Sequence, residues 1–357
     1  MILIRGAGPV GCATALALRA SGRHAPLLAA SQQAPATPLL ARSQPIALSY
    51  ASRLILERIG AWPRLATTPI ETIVVSQAGG FGAARIAARD AGVPALGYVV
   101  EYPALATALV DAVRAAGIPI VDAASEQTHA PLCTVHAEGQ ADDARERRYA
   151  QHALVAAVEV EPRSGTTAFE RFTANGPLAL LPLTGRYGAV WSTSPERAAA
   201  LAQLSEPDFL AALAQAAGAR IGRPVGVTAR SVHPLVLRVR RAPSAAREVH
   251  VGNSAQTLHP VAGQGLNLGL RDAWDLADVL SRSDDPGANE ALQRFARHRR
   301  VDRAATIFAT DSLARVFLGA NPARRAARGI ALSALDIAPP VRRFFARRMI
   351  FGMSALP

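Results

Sequence analysis

The spacing of apolar positions predicts a strand–helix–strand unit at the start of the chain. Ile2–Arg5 is a short apolar run typical of a buried strand, and an Ala/Leu-rich helix follows it to about Ala20. The next apolar run, Ala25–Ala30, predicts a second strand. Further on, Glu101–Ala116 repeats its apolar residues at three- and four-residue steps, which indicates an amphipathic helix packed on a core. This alternation of strands and helices is typical of an α/β fold.

The middle of the chain has the pattern of a sheet. Alternating and β-branched residues over Gln151–Glu161 predict a strand, and Val225–Arg240 predicts a strand pair. Pro69–Ser76 predicts one more strand, whereas the charged segment Ala141–Arg148 predicts a surface turn. A helix is predicted at Glu206–Ala217. The sequence therefore predicts a β-rich unit inserted in the α/β fold.

The C-terminal part of the chain is mainly helical and basic. Asn289–Val316 predicts a helix with a run of arginines between positions 294 and 303, and a second basic set follows between positions 324 and 348. Apolar residues such as Phe344 and Phe351 lie beside these arginines. This pattern suits either a segment that lies on an anionic membrane or a helix packed on its own domain with a solvated basic face. The sequence leaves both alternatives open.

Composition limits the class of protein. The 357 residues are 50% hydrophobic, enough for a substantial core, and the formal net charge is +12. All 39 basic residues are arginine, and aromatic residues are too sparse to interleave with them, so no nucleic-acid binding is predicted. Cys12 and Cys133 form no metal-ligand pattern, so no metal site is predicted. No signal peptide or membrane-spanning run is recognised, and we expect a cytoplasmic protein, either soluble or peripheral to a membrane.

The turn after the first strand has the spacing of a dinucleotide-binding motif. The run Gly6-Ala7-Gly8-Pro9-Val10-Gly11 matches G-x-G-x-x-G, follows a predicted strand and opens a predicted helix. Gly6 permits the tight turn, Gly8 lets the backbone approach a pyrophosphate, and Gly11 permits close helix–strand packing. An acidic residue usually ends the next strand and binds the ribose. Ala29 stands there, so we expect weakened cofactor binding.

A second glycine-rich segment runs from Gly252 to Leu280 after the short strand Val249–Val251. Its Gly263 and Gly265 flank Gln264, so backbone N–H groups and a helix N-terminus can face a flat ligand with no Cβ in the way. Asn267 adds a side-chain amide that can both donate and accept hydrogen bonds, as the edge of a flavin pyrimidine ring requires.

The segment GNSAQTLHPVAGQGLNLGLRD resembles the second flavin-binding segment of the aromatic-ring hydroxylases of ubiquinone biosynthesis. These are FAD-dependent monooxygenases built like para-hydroxybenzoate hydroxylase. The run from Ala168 to Phe172, followed by Gly176–Leu183, is similar to the central-sheet signature of the same hydroxylases. The resemblance implies FAD as the cofactor, NAD(P)H as a transient co-substrate, and O2 and a polyprenylated phenol as substrates.

The resemblance also assigns site residues. Glu138-Gly139 stands where the family has an Asp-Gly pair that contacts the ribityl chain and the pyrophosphate, and Arg42 is carried over as a phosphate or flavin contact. Pocket-lining positions are His259, Pro260 and Pro182. Glu170 and Arg171 belong either to the wall over the flavin or to a cross-strand surface pair. The predicted cofactor-binding residues are Gly6, Gly8, Gly11, Arg42, Glu138, Gly139, Gly252, Asn253, Gly263, Gln264, Gly265 and Asn267.

We therefore predict an α/β fold with a Rossmann-like FAD-binding domain, an inserted mixed β-sheet substrate domain and a C-terminal helical region. The predicted FAD-binding domain comprises residues 1–72, 96–150 and 246–288. The predicted substrate domain comprises residues 73–95 and 151–245, and the helical region comprises residues 289–357.

Two functions fit these features. No nucleophile triad, metal cluster or carboxylate dyad is recognised, so no catalytic side chain is predicted and the chemistry belongs to the flavin. The first function is hydroxylation of a polyprenylated phenol in ubiquinone biosynthesis, which the intact glycine segments favour. The second is a lipid-binding or scaffolding subunit that has lost catalysis, which Ala29, Glu138 and the short region 118–148 favour. We prefer the first, with other quinone-biosynthesis proteins and the inner membrane surface as candidate partners.

Overall fold

A mostly parallel sheet and a larger mixed sheet form the framework of the protein. The computed structural model describes residues 1–22, 24–30, 45–122, 130–139, 143–316 and 322–352. The strands are β1 (Ile2–Arg5), β2 (Pro26–Ala30), β3 (Pro45–Ser49), β4 (Thr68–Ile70), β5 (Thr72–Gln77), β6 (Ala83–Ala87), β7 (Gly97–Glu101), β8 (Ile120–Asp122), β9 (Cys133–His136), β10 (Arg145–Glu161), β11 (Thr167–Thr173), β12 (Gly176–Leu183), β13 (Arg186–Thr193), β14 (Arg223–Val227), β15 (Ser231–Val239), β16 (Ser244–Ala245), β17 (Glu248–His250) and β18 (Gln256–Thr257).

The α-helices lie on the faces of these sheets and at the C-terminal end of the chain. They are α1 (Pro9–Ser21), α2 (Tyr50–Arg58), α3 (Ala88–Ala91), α4 (Tyr102–Ala115), α5 (Pro195–Gln203), α6 (Glu206–Ala217), α7 (Gln264–Ser281), α8 (Asn289–Val316), α9 (Pro322–Ile337) and α10 (Pro339–Phe351).

The first sheet carries the N-terminal glycine turn at one edge. Its strand order is β16-β17-β9-β1-β2-β8, and β17, β9, β1, β2 and β8 run parallel. The register places Arg5 at the end of β1 beside Ala29 on one side and His136 on the other. Because parallel strands end at the same edge of a sheet, the turns that follow β1, β9 and β17 meet there. The predicted Rossmann-like α/β fold is thus confirmed, and the short region between β8 and β10 still supplies a strand to the sheet.

The core of this part of the molecule lies between the parallel sheet and the helices α1, α4 and α7. Each of the three helices turns an apolar stripe inward, and α1 packs against both α4 and α7. The core includes Ile2, Ile4, Leu18, Leu28, Leu105, Leu109, Val135, Leu276 and Leu280, all buried. Burial of both faces explains why β1 is a continuous apolar run without polar alternation.

The second sheet has the order β18-β15-β10-β13-β12-β11-β5-β6, with β14 paired to β10. Helices α5 and α6 cover one face, where Trp191, Phe209 and Leu213 form a separate core. A small third sheet, in the order β3-β7-β4, lies beside it. The opposite face of the second sheet lines a large cavity, so this sheet has one packed face and one functional face.

Two predicted elements of this region are corrected, and one helix was missed. Ala141–Arg148 is not a surface turn as a whole, because β10 begins at Arg145 and pairs with β15 there. Pro69–Ser76 is not one strand, because the chain leaves the third sheet after β4 and joins the second sheet with β5. In both cases the pairing partner, and not the local pattern, decides the structure. Helix α5 was not predicted, although Ser194 at its N-cap and Pro195 in its first turn are local signals of a helix start.

The C-terminal helices pack on the body of the protein. Helix α9 packs against β6, and α10 packs against α3 and α2, where Ala346 and Ile350 are buried. Of the helices in the described ranges, none combines the length and the apolar character needed to cross a bilayer. The division into three regions stays a prediction; β10 runs continuously through position 150.

Candidate active site

The first glycine turn is built so that two of its three glycines cannot carry a side chain. Gly6 has φ +100°, and a Cβ there would lie 2.6 Å from the carbonyl of Ala137. A Cβ at Gly11 would lie 1.8 Å from the carbonyl oxygen of Gly6. Both glycines therefore let α1 close tightly onto β1 and β9, the role that the motif predicts for the outer two positions.

Gly8 differs from its two neighbours because it borders open space. It is the N-cap of α1 in an extended conformation, and a Cβ at this position would meet no atom within 4 Å. The N-terminus of α1 therefore presents backbone N–H groups to an open cradle that a side chain at Gly8 would fill. A helix N-terminus of this kind suits the phosphates of a dinucleotide.

The second glycine segment is anchored to the first. Gly252 has φ +59°, and a Cβ there would lie 3.0 Å from a methyl group of Val10 on α1. Its N–H donates to Oδ2 of Asp272 on α7 at 3.2 Å. Nearby, Gly139 (φ +84°) donates its N–H to Oγ of Ser254 at 3.1 Å. The turns after β9 and β17 are thus tied to one another and to α1.

The N-terminus of α7 faces the same space as Gly8. Gly263 adopts the left-handed conformation (φ +59°) as the N-cap, and a Cβ at Gly265 would meet no atom within 4 Å. Gln264 also faces this space, and its Nε2 donates to the carbonyl of Met349 on α10 at 3.4 Å. Two helix N-termini, α1 and α7, therefore border one cavity.

The side-chain amide of Asn267, predicted to contact the cofactor, is hydrogen-bonded within the protein. Its Oδ1 accepts from the backbone N–H of Ser49 at 2.8 Å and from Oγ of Ser52 at 2.7 Å. Its Nδ2 donates to the carbonyls of Ala47 at 2.9 Å and Gly263 at 2.7 Å. The amide is fully used and 2% exposed. Asn267 therefore ties α7 to β3 and holds the glycine turn, and it has no donor left for a ligand.

The cavity has a volume of about 2400 Å³ and is lined by both large sheets and by α9 and α10. Of the predicted residues, Gly6, Gly8, Glu138, Gly139, Asn253, His259, Pro260, Gly263, Gln264, Gly265 and Asn267 line it. Gly11 and Gly252 lie behind its wall and position the turns. Arg42 falls outside the described residues.

Pro182 does not line the cavity, although it was predicted to do so. Successive residues of a strand point to opposite faces, and on β12 Ala179 and Leu181 face the cavity. Pro182 is buried, opposite Tyr187 of β13.

His259 is a neutral structural residue of the cavity wall. It is fully buried, its Nδ1 accepts the N–H of Val261 at 3.1 Å, and its Nε2 lies 3.3 Å from Oε1 of Gln151. Because Nδ1 accepts, the proton is on Nε2, which donates to Gln151. Burial lowers the pKa of His259 to about 4. This geometry agrees with a lining role and provides no proton for acid–base chemistry at neutral pH.

Glu138 lies beside two stacked histidines at the edge of the parallel sheet. Oε1 of Glu138 is 3.5 Å from Nδ1 of His136, whose ring stacks on that of His250 at 4.4 Å and 16°. Burial opposes ionisation of Glu138, but the contact with His136 and a backbone hydrogen bond outweigh it and lower the pKa. Glu248 completes a cluster with the two histidines whose possible ligand atoms lie within 4.8 Å. Lone pairs of imidazole lie in the ring plane, so two nearly parallel rings do not converge on one metal ion.

Glu170 and Arg171, for which the sequence leaves two places open, lie on opposite sides of β11. Glu170 faces the cavity, whereas the guanidinium of Arg171 lies on the other side of β11, about 3.3 Å from where a Cβ of Gly218 would be. The alternative of a surface pair is therefore wrong. Ala168 and Phe172 share the face of Glu170 by the period of two along β11 and also line the cavity, to which Phe169 contributes as well.

Asp272 is a residue of the site that was missed. One carboxylate oxygen accepts from Gly252 and from Nε2 of Gln256 (2.8 Å), and the other accepts from Nε of Arg299 at 2.8 Å. This acid therefore fixes the second glycine turn from behind. The sequence could have indicated this role, because Asp272 lies on the apolar, buried stripe of α7, and a charged residue buried there needs a partner.

The fold and the glycine turns define a dinucleotide-binding protein, and comparisons with known proteins give the family. A family model described as "FAD binding domain" matches residues 140–310. The ubiquinone hydroxylase UbiL of Rhodospirillum rubrum is 32% identical, over 84% of this chain and 78% of the relative. The 3-demethoxyubiquinol 3-hydroxylase of Escherichia coli is 28% identical, over 96% of each chain.

Solved structures agree on the fold. The p-nitrophenol 4-monooxygenase PnpA of Pseudomonas putida matches with a TM-score of 0.76 at 14% identity, covering 99% of this chain and 98% of that one. The chain belongs to the family of FAD-dependent aromatic hydroxylases of ubiquinone biosynthesis. The predicted family, the FAD cofactor and the assignment as an enzyme are thereby confirmed.

Proposed function

We propose that this protein hydroxylates the aromatic ring of a polyprenylated phenol in ubiquinone biosynthesis, with FAD, NAD(P)H and O2. One observation carries the proposal: the cavity joins a dinucleotide cradle at Gly8 and Gln264 to the apolar face of the second sheet. A cofactor held by the glycine turns would have its reactive ring beside that apolar face. This arrangement suits a hydrophobic aromatic substrate.

The residues of the cradle fit FAD. Gly8 and the N-terminus of α1 would hold the pyrophosphate, and Glu138-Gly139 would face the ribityl chain. The N–H groups around Gln264 and Gly265 would face the pyrimidine edge of the flavin. The chemistry that FAD supplies is acceptance of a hydride from NAD(P)H and activation of O2 for transfer of one oxygen atom to a ring.

The protein side of the reaction is orientation and exclusion of water. The apolar side chains Phe172, Leu181, Leu332 and Phe345 line the cavity, and they leave little polar surface to hold water beside the ring. Since the cavity also contacts α9 and α10, a prenyl chain has an apolar surface to follow toward the outside.

The outer face of α9 and α10 supports an association with an anionic membrane. Ile330, Ile337, Val341 and Phe344 are 53–77% exposed there. Exposed arginines lie beside them on α10 at positions 343, 347 and 348. Apolar side chains flanked by cations suit the surface of an anionic bilayer. The inner face of the same helices lines the cavity. Membrane contact would therefore bring the lipid in which a polyprenylated substrate dissolves next to its binding site.

The test is turnover with a prenylated phenol under isotopically labelled O2. FAD-loaded protein with NAD(P)H should convert 2-geranylphenol to a dihydroxy product that carries one labelled oxygen atom. Protein without FAD is the control. Oxidation of NAD(P)H with no labelled product, across a series of prenylated phenols, would contradict the proposal and favour a subunit without hydroxylase activity.

A further inference from the structure

Glu170 is a carboxylate placed in the middle of an apolar surface. Its register neighbours are Val75 on β5 and Ala179 on β12, and both line the cavity. Along its own strand, Ala168 and Phe172 line the cavity two residues before and after it. A carboxylate at the centre of such a surface costs free energy unless a hydrogen-bond donor or a cation pairs with it.

The backbone of Glu170 pairs with β5 and β12, but no hydrogen bond or ion pair joins its carboxylate to any residue in the described ranges. Burial, with no opposing contribution from a donor or cation, raises the pKa of Glu170 to about 7. Glu170 is half-buried at the cavity wall, and its carboxylate therefore lacks a donor or cation in the part of the protein that the structure describes. A ligand in the cavity can supply the donor.

Few other charged or titratable groups face this part of the cavity. The neighbouring strands β5, β12 and β13 contribute apolar side chains to its lining, namely Val75, Ala179, Leu181 and Val190. Strand β15 contributes His233, whose pKa is lowered by burial and by His152. Helix α9 contributes Arg328, which has contacts of its own, and α10 contributes apolar side chains.

We infer that Glu170 binds the phenolic hydroxyl of the substrate: its carboxylate accepts the hydrogen bond of that hydroxyl and takes the proton when the ring is oxidised. The inference rests on the proposed function. In the proton transfer the phenolic O–H bond breaks and an O–H bond to Glu170 forms. The electron pair stays on the ring oxygen, and the negative charge moves from the carboxylate to the ring.

This role matches the chemistry of the reaction. Charge on the ring oxygen makes the ortho and para carbons more electron-rich, which favours their attack on an electrophilic oxygen. A phenol has a pKa of about 10, so a carboxylate raised toward neutrality is a better base for it than an ordinary glutamate. In the apolar wall the same hydrogen bond would fix which ring edge faces the cofactor.

The test compares binding of a phenol with binding of its methyl ether. Oxidised, FAD-loaded protein without NAD(P)H is titrated calorimetrically with 2-geranylphenol and with 2-geranylanisole, which lacks the donor hydrogen. Glu170→Gln keeps the size of the side chain and removes its charge. Glu159→Gln, on an exposed residue of β10 in the same sheet, is the matched control.

We expect the unmodified protein and Glu159→Gln to bind the phenol about tenfold to hundredfold more tightly than the ether, the range for a hydrogen bond to a charged group. This preference should increase as the pH rises through about 7. The protonated carboxyl can donate a hydrogen bond to the ether oxygen, whereas the ionised carboxylate has no proton to donate. Glu170→Gln should lose most of the preference and its pH dependence, since an amide can donate to the ether oxygen.

The outcomes separate the two proposals. Binding of both probes with no preference in the unmodified protein, or with the same preference in Glu170→Gln, overturns the role of Glu170 and leaves the proposed function standing. If neither probe binds any form of the protein, the role of Glu170 and the proposed function are both overturned. If Glu170→Gln loses FAD or stability, the pH dependence of the preference in the unmodified protein decides, because it needs no variant.

Discussion

Nε of Arg299 on α8 donates to Oδ1 of Asp272 on α7 at 2.8 Å, and both side chains are almost fully buried. The same guanidinium also contacts Asp275 at 2.9 Å and Asp302 at 2.8 Å. Burial alone would lower the pKa of Arg299, but the three carboxylates together raise it. Since Asp272 also holds the N–H of Gly252, one buried cation supports the second glycine turn.

Replacement of this cation should be strongly destabilising. Arg299→Met removes the cation that three carboxylates share. Asp302 keeps Arg271, and Asp272 keeps its hydrogen bonds from the second glycine turn, but the buried negative charge is no longer balanced. We expect the free energy of unfolding to fall by about 3–5 kcal/mol. Arg282→Met is the matched control, because Arg282 forms an exposed pair with Asp278 and should contribute less than about 1 kcal/mol. Denaturant unfolding monitored by circular dichroism measures both. A loss below 1 kcal/mol for Arg299→Met would show that the network is not a structural support.

Local patterns predicted the elements whose structure depends mainly on their own residues. β1 and α8 have the predicted bounds, because a short apolar run and a long amphipathic repeat each specify one structure. The glycine spacing in the first turn also identified the positions where a Cβ cannot fit. These features need no knowledge of a distant partner.

Distant partners account for what the sequence did not predict. Asn267 has the residue type of a ligand contact, but its amide is occupied by Ser49 and Ala47, which are more than two hundred positions away. Glu170 reads equally well as a surface residue until β11 is paired with β5 and β12. The side of a strand that faces a cavity is set by the sheet and its neighbours, so the pattern alone leaves such assignments open.

His259 should make stability depend on pH. Burial lowers its pKa from 6.5 to about 4, so between these values the unfolded chain binds a proton that the folded chain excludes. The penalty is absent above pH 6.5 and grows as the pH falls toward 4, to a limit of roughly 3 kcal/mol at about 1.4 kcal/mol per pH unit. His259→Asn, which can still accept from Val261, should therefore lose less stability on acidification.

The measurement is denaturant unfolding of the unmodified protein and the variant across this pH range. His298→Asn serves as the control, because the side chain of His298 is 54% exposed. It should retain the pH dependence of the unmodified protein. Parallel curves for the unmodified protein and His259→Asn would mean that His259 titrates normally.

The exposed face of α9 and α10 should control membrane binding. Ile337→Asp combined with Phe344→Asp places two charges on that face, and we expect less sedimentation with anionic liposomes, because burial of apolar area is lost. Removal of both helices would be a poor test, because Leu332 and Phe345 also line the cavity.

Val301→Asp is the control for this prediction. Val301 is 52% exposed on α8, so the change has the same chemistry outside the proposed face. Flavin content should stay unchanged in all of these variants. Equal liposome binding by the double variant and by Val301→Asp would exclude α9 and α10 as the membrane-facing surface.

The central claim is that two distant glycine turns hold one FAD in a shared cavity. The direct measurement is the ratio of FAD to protein, read from flavin absorbance after saturation with FAD and removal of the excess. Gly8→Val fills the cradle at the N-terminus of α1, whereas Gly165→Val changes a glycine that also borders open space but lies in the loop between β10 and β11. We predict that the unmodified protein and Gly165→Val retain one equivalent of FAD and that Gly8→Val loses it. A full equivalent of FAD bound to folded Gly8→Val would contradict the site.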